Sequence, residues 1–365
     1  MSSSVKSLSV GYNPINERNT FSSGDYIHGK ITLELSKECS FQTLSIQMKG
    51  KAKVLWTENY GKTVVTYSSK NKYFSIKQIL VQEGQGITTL NPGSHVFPFS
   101  FQIPAQELPS SFRGSYGKIL YTLKANLSRS MRVDSKAKAE FNVINKLNLK
   151  SDPVLTTPQH NTIEKKMKIL NSGAVGMDVN IERTGFLQGE GINVVASIQN
   201  KSTRDVKLKY SFYSKHSYFA NGKRKVSTKE ILKEVSEPVP PSAGQTITKI
   251  ITVPPDTGVS VLNCNILKVE YRLKVSLDVK YAADPEIKFP IIVLPAFVES
   301  YGEPSLPPAY GFDPTPNFSQ YGGASFFDPP AYTPSAPPSA PPLHPPPLTF
   351  DSSGIYPPLT GWDKK

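Results

Sequence analysis

Up to about position 298 the chain alternates apolar and polar residues in short runs, each closed by Gly, Pro, Asn or Ser, and this period of two confines it to β-strands. In Tyr26–Leu35 the side chains of Ile31, Leu33 and Leu35 fall on one face, and those of Lys30, Thr32 and Glu34 on the other. That is the pattern of an antiparallel strand with one wet face. Similar runs stand at Val5–Tyr12, Leu44–Met48, Thr63–Tyr67, Tyr73–Val81, Phe97–Ile103, Leu120–Ser128 and Ala137–Val143. They continue at Val175–Ile181, Ile192–Gln199, Val206–Tyr213, Thr246–Val253, Leu262–Lys280 and Ile287–Leu294. Helical periodicity is nearly absent. Only Ser227–Val235, where Ser227 and Glu230 have the spacing of a capping box, reads as a short helix or as a loop. Many short strands without intervening helices specify an all-β protein of sandwiches or barrels.

A chain of 365 residues exceeds what one core usually organises. The turn-rich stretch from Asn145 to Gln159, with Pro153 and Pro158, separates two strand arrays of similar size. The expected domains are therefore two immunoglobulin-like β-sandwiches in tandem, at 1–150 and 151–298. Beyond them the composition changes: residues 299–365 hold 17 of the 32 prolines and no Lys or Arg before Lys364. Such a segment buries too little apolar surface to offset chain entropy, so 299–365 reads as a disordered proline-rich tail with polyproline II character.

Charge follows the same division. Residues 1–150 carry 20 Lys+Arg against 9 Asp+Glu (+11), residues 151–298 carry 20 against 14 (+6), and the tail carries 2 against 6 (−4), which together make the net +13. A basic body suits phosphate, anionic lipid or an acidic peptide. No base-reading motif accompanies the charge, so nucleic acid is not an expected partner. Cys39 and Cys264 are too few for a disulfide framework and point to a reducing compartment. The N-terminus is too polar for a secretory leader, and no apolar run exceeds the short Ile291–Leu294 stretch. The three glycosylation patterns at Asn126, Asn200 and Asn317 therefore lack their usual context. The expectation is a cytoplasmic protein that visits membranes peripherally.

Enzyme readings find no support in the motifs. Gly189-Glu-Gly191 lacks the third glycine and the strand-then-helix context of a phosphate-binding loop, and His160, His216 and His344 have no spaced metal-ligand partners. No catalytic residue, cofactor or metal is expected.

The sharpest local signal is Pro307-Pro308-Ala-Tyr310, repeated as Pro329-Pro330-Ala-Tyr332. A WW domain accepts paired prolines in an aromatic groove and the tyrosine ring in a neighbouring pocket, and polyproline II supplies the shape with little entropy left to lose. Next come Pro334-Ser335-Ala336-Pro337 and Pro338-Ser339-Ala340-Pro341. These resemble the late-domain motif bound by ESCRT-I; Ser/Ala/Pro low complexity is the competing reading. SH3 recognition ranks behind both, because the flanking Arg or Lys is missing. In the body, Lys49, Lys51 and Lys53 alternate, so all three project from one sheet face if they share a strand. Lys223, Arg224 and Lys225 follow Asn221-Gly222, a hairpin signal that places them at a turn. Both clusters are candidate contacts for cargo or anionic lipid, and both also read as ordinary solvated strand or loop surface.

Several stretches resemble the α-arrestin, or arrestin domain-containing, family. His95-Val-Phe-Pro-Phe-Ser-Phe-Gln-Ile-Pro104, Leu108-Pro-Ser-Ser-Phe112 and Gly117-Lys-Ile-Leu-Tyr121 are similar to its N-terminal domain, with Phe97, Phe99 and Phe101 expected in the core and Pro98 on an edge strand. Thr184-Gly-Phe-Leu-Gln-Gly-Glu-Gly191 and Cys264–Val275 are similar to its C-terminal domain, which makes Cys264 a small buried hydrophobe. Asn13-Pro-Ile-Asn and Lys72-Tyr-Phe-Ser-Ile-Lys77 resemble vertebrate members. The resemblance implies arrestin-type sandwiches and a non-enzymatic adaptor. Its body would grip the cytoplasmic tails of transmembrane receptors or transporters while the tail recruits WW-domain HECT-type ubiquitin ligases. Ubiquitination, endocytosis and endosomal sorting would follow, with the protein at the plasma membrane and endosomes. No residues match the polar core of visual arrestins, so phosphate-triggered activation is not implied. The alternative is an arrestin-fold sorting or membrane scaffold that recruits no ligase.

Overall fold

The computed structural model describes residues 4–82, 84, 89–147, 152–166, 173–279 and 283–296. The tail from 299, with both Pro-Pro-Ala-Tyr words and the Pro-Ser-Ala-Pro pair, lies outside them. Strands are numbered in chain order. In the first half, β1 (Val5–Tyr12), β3 (Tyr26–Leu35) and β8 (Gly93–Gln102) form one antiparallel sheet in the order β1-β3-β8. The second sheet runs β2 (Thr20–Phe21), β11 (Arg132–Val143), β10 (Gly117–Arg129), β5 (Thr43–Tyr60), β6 (Thr63–Gln82), with β9 (Phe112–Arg113) attached to β10. A small pair, β4 (Cys39–Ser40) and β7 (Thr89–Leu90), adds to this half.

The second half repeats the plan. One sheet is β12 (Gln159–Lys166), β13 (Ala174–Ile181), β15 (Gly191–Asn200) and β18 (Ala243–Thr252). The other runs β14 (Gly185–Leu187), β20 (Glu286–Leu294), β19 (Leu267–Asp278), β16 (Val206–Ala220), β17 (Lys223–Val239). Among the described residues the only helix is a single turn, α1 (Pro153–Thr156), whose first turn Asp152 caps by accepting a hydrogen bond from the Val154 amide. It lies in the turn-rich boundary stretch, with Leu155 buried.

The all-β architecture read from the alternation is the one observed. On β5 the residues Leu44, Ile46, Met48, Ala52, Val54 and Trp56 are buried while Gln47, Lys49, Lys51, Lys53 and Leu55 alternate with them toward the outside. Pro98 sits on β8, an edge strand, where its missing N–H costs no ladder bond to a further strand. Phe99 and Phe101 enter the core, whereas Phe97 stays half-buried. Two local expectations are corrected. Ser227–Val235 is neither helix nor loop but part of β17, paired with β16 from Val239 back to Lys223; the long-range ladder overrides the local capping pattern. The run at Leu262 becomes regular strand only at Leu267, because Val261 makes an isolated bridge to Val269 and the intervening residues turn.

The two sandwiches share corners that the sequence motifs build. In the first, Gly24 adopts φ +86° and the Asp25 carboxylate accepts the Ser22 amide, closing a turn behind buried Phe21 on β2, which runs parallel to β11. In the second, Gly189 adopts φ +85° and the Glu190 carboxylate accepts the Leu187 amide behind buried Phe186 on β14, parallel to β20. A second corner is likewise duplicated. Ser111 donates its amide to the Val143 carbonyl and accepts the Val143 amide on its hydroxyl, and Ser260 makes the same pair of bonds with Val293. Tyr121 completes the first corner by donating its buried hydroxyl to the Pro109 carbonyl at 2.7 Å, which explains the Leu-Pro-Ser-Ser-Phe and Tyr121 pattern.

Candidate functional site

Register across the second sheet turns the three alternating lysines of β5 into a field. Lys53 lies between Lys118 of β10 and Lys70 of β6, with Arg113 of β9 opposite Lys118. Lys51 lies between Leu120 and Lys72, and Lys49 between Thr122 and Ser75. The next row is Lys138, Lys124, Gln47 and Lys77, and beyond it Lys136 stands opposite Asn126. Directly paired residues point to the same face of a sheet. Ten lysines and Arg113 therefore share this face, and the one carboxylate in these rows is Glu140. Glu140 already binds Lys138 and Arg113, which hold its carboxyl below the usual range. Among the described residues Lys49, Lys51, Lys53, Lys70 and Lys72 have no acidic partner. Partial burial, then the charges of Lys49, Lys70, Lys138 and Lys118, hold the Lys51 ammonium below the ordinary lysine range.

The buried side of β5 fixes that display. Gly50, between Lys49 and Lys51, lies under the rings of Phe74 and Tyr121; a Cβ there would come within 2.7 Å of both. The tight approach coincides with a bulge that places Lys72, not Tyr73, opposite Lys51.

The second cluster has a different position. Asn221 and Gly222 take φ +50° and +71°, the left-handed pair of a type I′ hairpin, and Lys223 and Arg224 follow on the exposed start of β17. Arg224 donates to the Ser217 hydroxyl at 2.8 Å and lies over the Phe219 ring. Lys225 crosses to the first sandwich, where it meets Glu58 at 3.3 Å and the Tyr116 ring. Its ammonium is thus engaged between the domains. Around it Tyr116 meets Tyr218 edge-on, Phe112 meets His216, and the Tyr73 hydroxyl donates to the buried Cys264 sulfur at 3.2 Å. Cys264 is a buried packing residue at the domain junction, and Cys39 is also buried and free.

The outer face of the second sandwich differs. There Lys209 pairs with Asp278 at 2.9 Å, and Lys274 and Lys288 both pair with Glu286. Two features escaped the sequence reading. The Asn200 side chain of the Asn200-Lys-Ser pattern is fully buried, so its amide is out of reach of any modification in the folded protein. The lysines of β6, β10 and β11 join those of β5 only through register, which no local motif reports. Among the described residues there is no cluster of metal-ligating side chains and no helix long and apolar enough to cross a membrane.

Comparison with known proteins agrees with this architecture. Residues 9–150 match the arrestin (or S-antigen) N-terminal domain and residues 171–296 the arrestin C-terminal domain. The chain is 31% identical over 302 residues to arrestin domain-containing protein 4 of Mus musculus, covering 79% of this chain and 72% of that protein. It is 30% identical to the Homo sapiens protein of the same name, covering 79% and 71%, and 28% identical to thioredoxin-interacting protein of Rattus norvegicus, covering 79% and 74%. With two arrestin domains in tandem and this identity across most of its length, the chain belongs to the α-arrestin family of arrestin domain-containing proteins.

Proposed function

We propose that this α-arrestin is an adaptor that holds membrane-protein cargo with its β-sandwich body and brings WW-domain HECT-type ubiquitin ligases to it with its tail. Family membership supports the adaptor role. The ligase step rests on one observation: the identical words Pro307-Pro308-Ala-Tyr310 and Pro329-Pro330-Ala-Tyr332, 22 residues apart behind the body. A chain of that length spans roughly 25 Å root-mean-square if it behaves as a flexible coil, so tandem WW domains reach both words and gain about a hundredfold in avidity over one. The tail has no Lys before Lys364, so ubiquitin brought there is directed to the basic body or to the bound cargo. Cargo then enters endocytosis and endosomal sorting from the cytoplasmic side of the plasma membrane, and Pro334–Pro341 offers ESCRT-I a late-domain contact beside the ligase.

The test is capture of the full chain on immobilised tandem WW domains. Either Tyr310→Ala or Tyr332→Ala should weaken capture, and the double variant should abolish it. Undiminished capture of the double variant would refute the ligase step.

A further inference from the structure

We propose that the lysine face of the first sandwich is a membrane-resting surface: the outer side of β5, β6, β10 and β11 lies against an anionic bilayer, with its lysines among the headgroups. The inference deepens the adaptor reading, on which it rests for its purpose alone, by placing the body on the bilayer that carries its cargo.

Three observations carry it. The first is the shape of the array. Strands lie about 4.8 Å apart and same-face residues follow at about 7 Å along each strand, so lysines recur at those intervals in both directions of the sheet. The rows Lys118-Lys53-Lys70 and Lys51-Lys72 run across the strands, while Lys49, Lys51 and Lys53 run along one. An extended acidic peptide would neutralise one such line and leave its neighbours facing each other. A charged plane meets them all.

The second is the kind of cation. Recognition of a single phosphate or carboxylate favours the planar, bidentate fork of arginine held in a pocket. Here the face is lysine, a flexible point charge, and its one arginine, Arg113, is bound to Glu140. The shallow cleft on this face, about 260 Å³, has Glu140 in its wall, which repels a phosphate. The third is the contrast with the second sandwich, where the same fold pairs Lys209, Lys274 and Lys288 with carboxylates. Among the described residues Lys215, Lys233 and Lys268 on that face also lack an ion pair, so what sets the first face apart is its scarcity of carboxylates: Glu140 alone here, against Glu230, Glu270, Asp278 and Glu286 there.

The experiment is co-sedimentation of the full chain with vesicles of phosphatidylcholine alone or with about 30% phosphatidylserine, at low salt and at about 0.5 M salt, where the screening length falls to a few Å. Wild type should pellet with the anionic vesicles at low salt only, and not with the neutral ones. The variant K51Q/K53Q/K72Q removes the charges while keeping polar side chains and should weaken partition by roughly a hundredfold, at about one kcal/mol per lysine removed from an anionic surface. K70Q/K118Q, on the flanking strands, gives an independent second variant with a smaller loss. A charge-matched control on the second sandwich, K207Q/K233Q/K268Q, should stay within about twofold of wild type if the face and not the net charge is responsible. Melting curves matching wild type establish that the variants fold. The proposal is overturned if both lysine-face variants partition like wild type, if the control loses as much as they do, or if wild type binds neutral vesicles equally. It is also overturned if wild type ignores anionic vesicles and instead binds an acidic phosphopeptide that the variants fail to bind. None of these outcomes touches WW capture, so failure here and failure of the ligase step are read separately.

Discussion

Replacing Asn200 by Asp changes one side-chain nitrogen to oxygen at the most densely bonded polar residue of the second sandwich. Asn200 is fully buried at the end of β15. Its amide nitrogen donates to the carbonyls of Arg204, Val239 and Pro240 at 2.7, 3.0 and 2.9 Å, while its carbonyl oxygen accepts the Ser202 amide and hydroxyl. One side chain thus ties the turn after β15 to the end of β17. Aspartate keeps the accepting side but turns an anionic oxygen toward three carbonyl oxygens. Losing the two amide hydrogens leaves buried acceptors unsatisfied at about 1–3 kcal/mol each, so the expected destabilisation is about 4 kcal/mol. For a domain of this size that lowers the melting temperature by roughly 10 °C. The introduced carboxyl is pushed above its unfolded value by burial and by the facing carbonyls, so the part of the penalty due to its charge is absent below the unfolded value of about 4 and grows as pH rises above it, while the shortfall in donors remains in acid. Scanning calorimetry of the full chain at neutral and acidic pH reads both effects. A variant that melts within about 2 °C of wild type at neutral pH would refute the assigned bonding.

Gly50→Ala drives a methyl into the rings of Phe74 and Tyr121 and should cost about 1–3 kcal/mol, read as an earlier urea transition of the full chain. His216 packs edge-on to Phe112 at the domain junction, and burial, with Lys229 adding repulsion, lowers its pKa from 6.5. Its neutral form is the one the fold accommodates, so this contribution is complete above the unfolded value and is lost as pH falls below it. Thermal melts between about pH 7.5 and 5.5 should therefore show a smaller decline for His216→Leu than for wild type.

The sequence was most legible where one strand carries the whole signal. Alternation along β5 places Lys49, Lys51 and Lys53 together, Asn221-Gly222 marks its hairpin, and Pro98 marks an edge. Features that depend on pairing were hidden. Lys118 and Lys70 flank Lys53 from strands separated by intervening chain, and Lys225 finds Glu58 at a separation of 167 residues. Ser227–Val235 misled for the same reason, since its local spacing favours a helix start while β16 supplies a ladder. One signal was present and unread: Phe21-Ser-Ser-Gly24-Asp25 and Phe186-Leu-Gln-Gly189-Glu190 share a spacing because each needs a left-handed glycine before a carboxylate that turns back to the amide three residues earlier.

Duplication of these corners gives the two sandwiches the same scaffold, so their outer faces can be compared as two answers to one packing problem. On the second, Glu230, Glu270, Asp278 and Glu286 stand among the cations, although burial, then Arg272 and Arg224, still hold Lys215 below the ordinary lysine range. On the first, neighbouring ammonium groups oppose one another strongly enough to depress Lys51 beyond the effect of its burial. Like charges on facing positions of adjacent strands weaken a sheet. Stability alone therefore favours carboxylates among the lysines, and the first face, with Glu140 alone, carries a less compensated repulsion that an opposing negative surface would relieve. Gly50 makes this more than an accident of composition, because the tight seat beneath Phe74 and Tyr121 fixes the backbone from which Lys49 and Lys51 project. A face that is rigid below and repelled above gains stability when an anion arrives, and that gain is the physical basis on which such a body would settle at a charged bilayer.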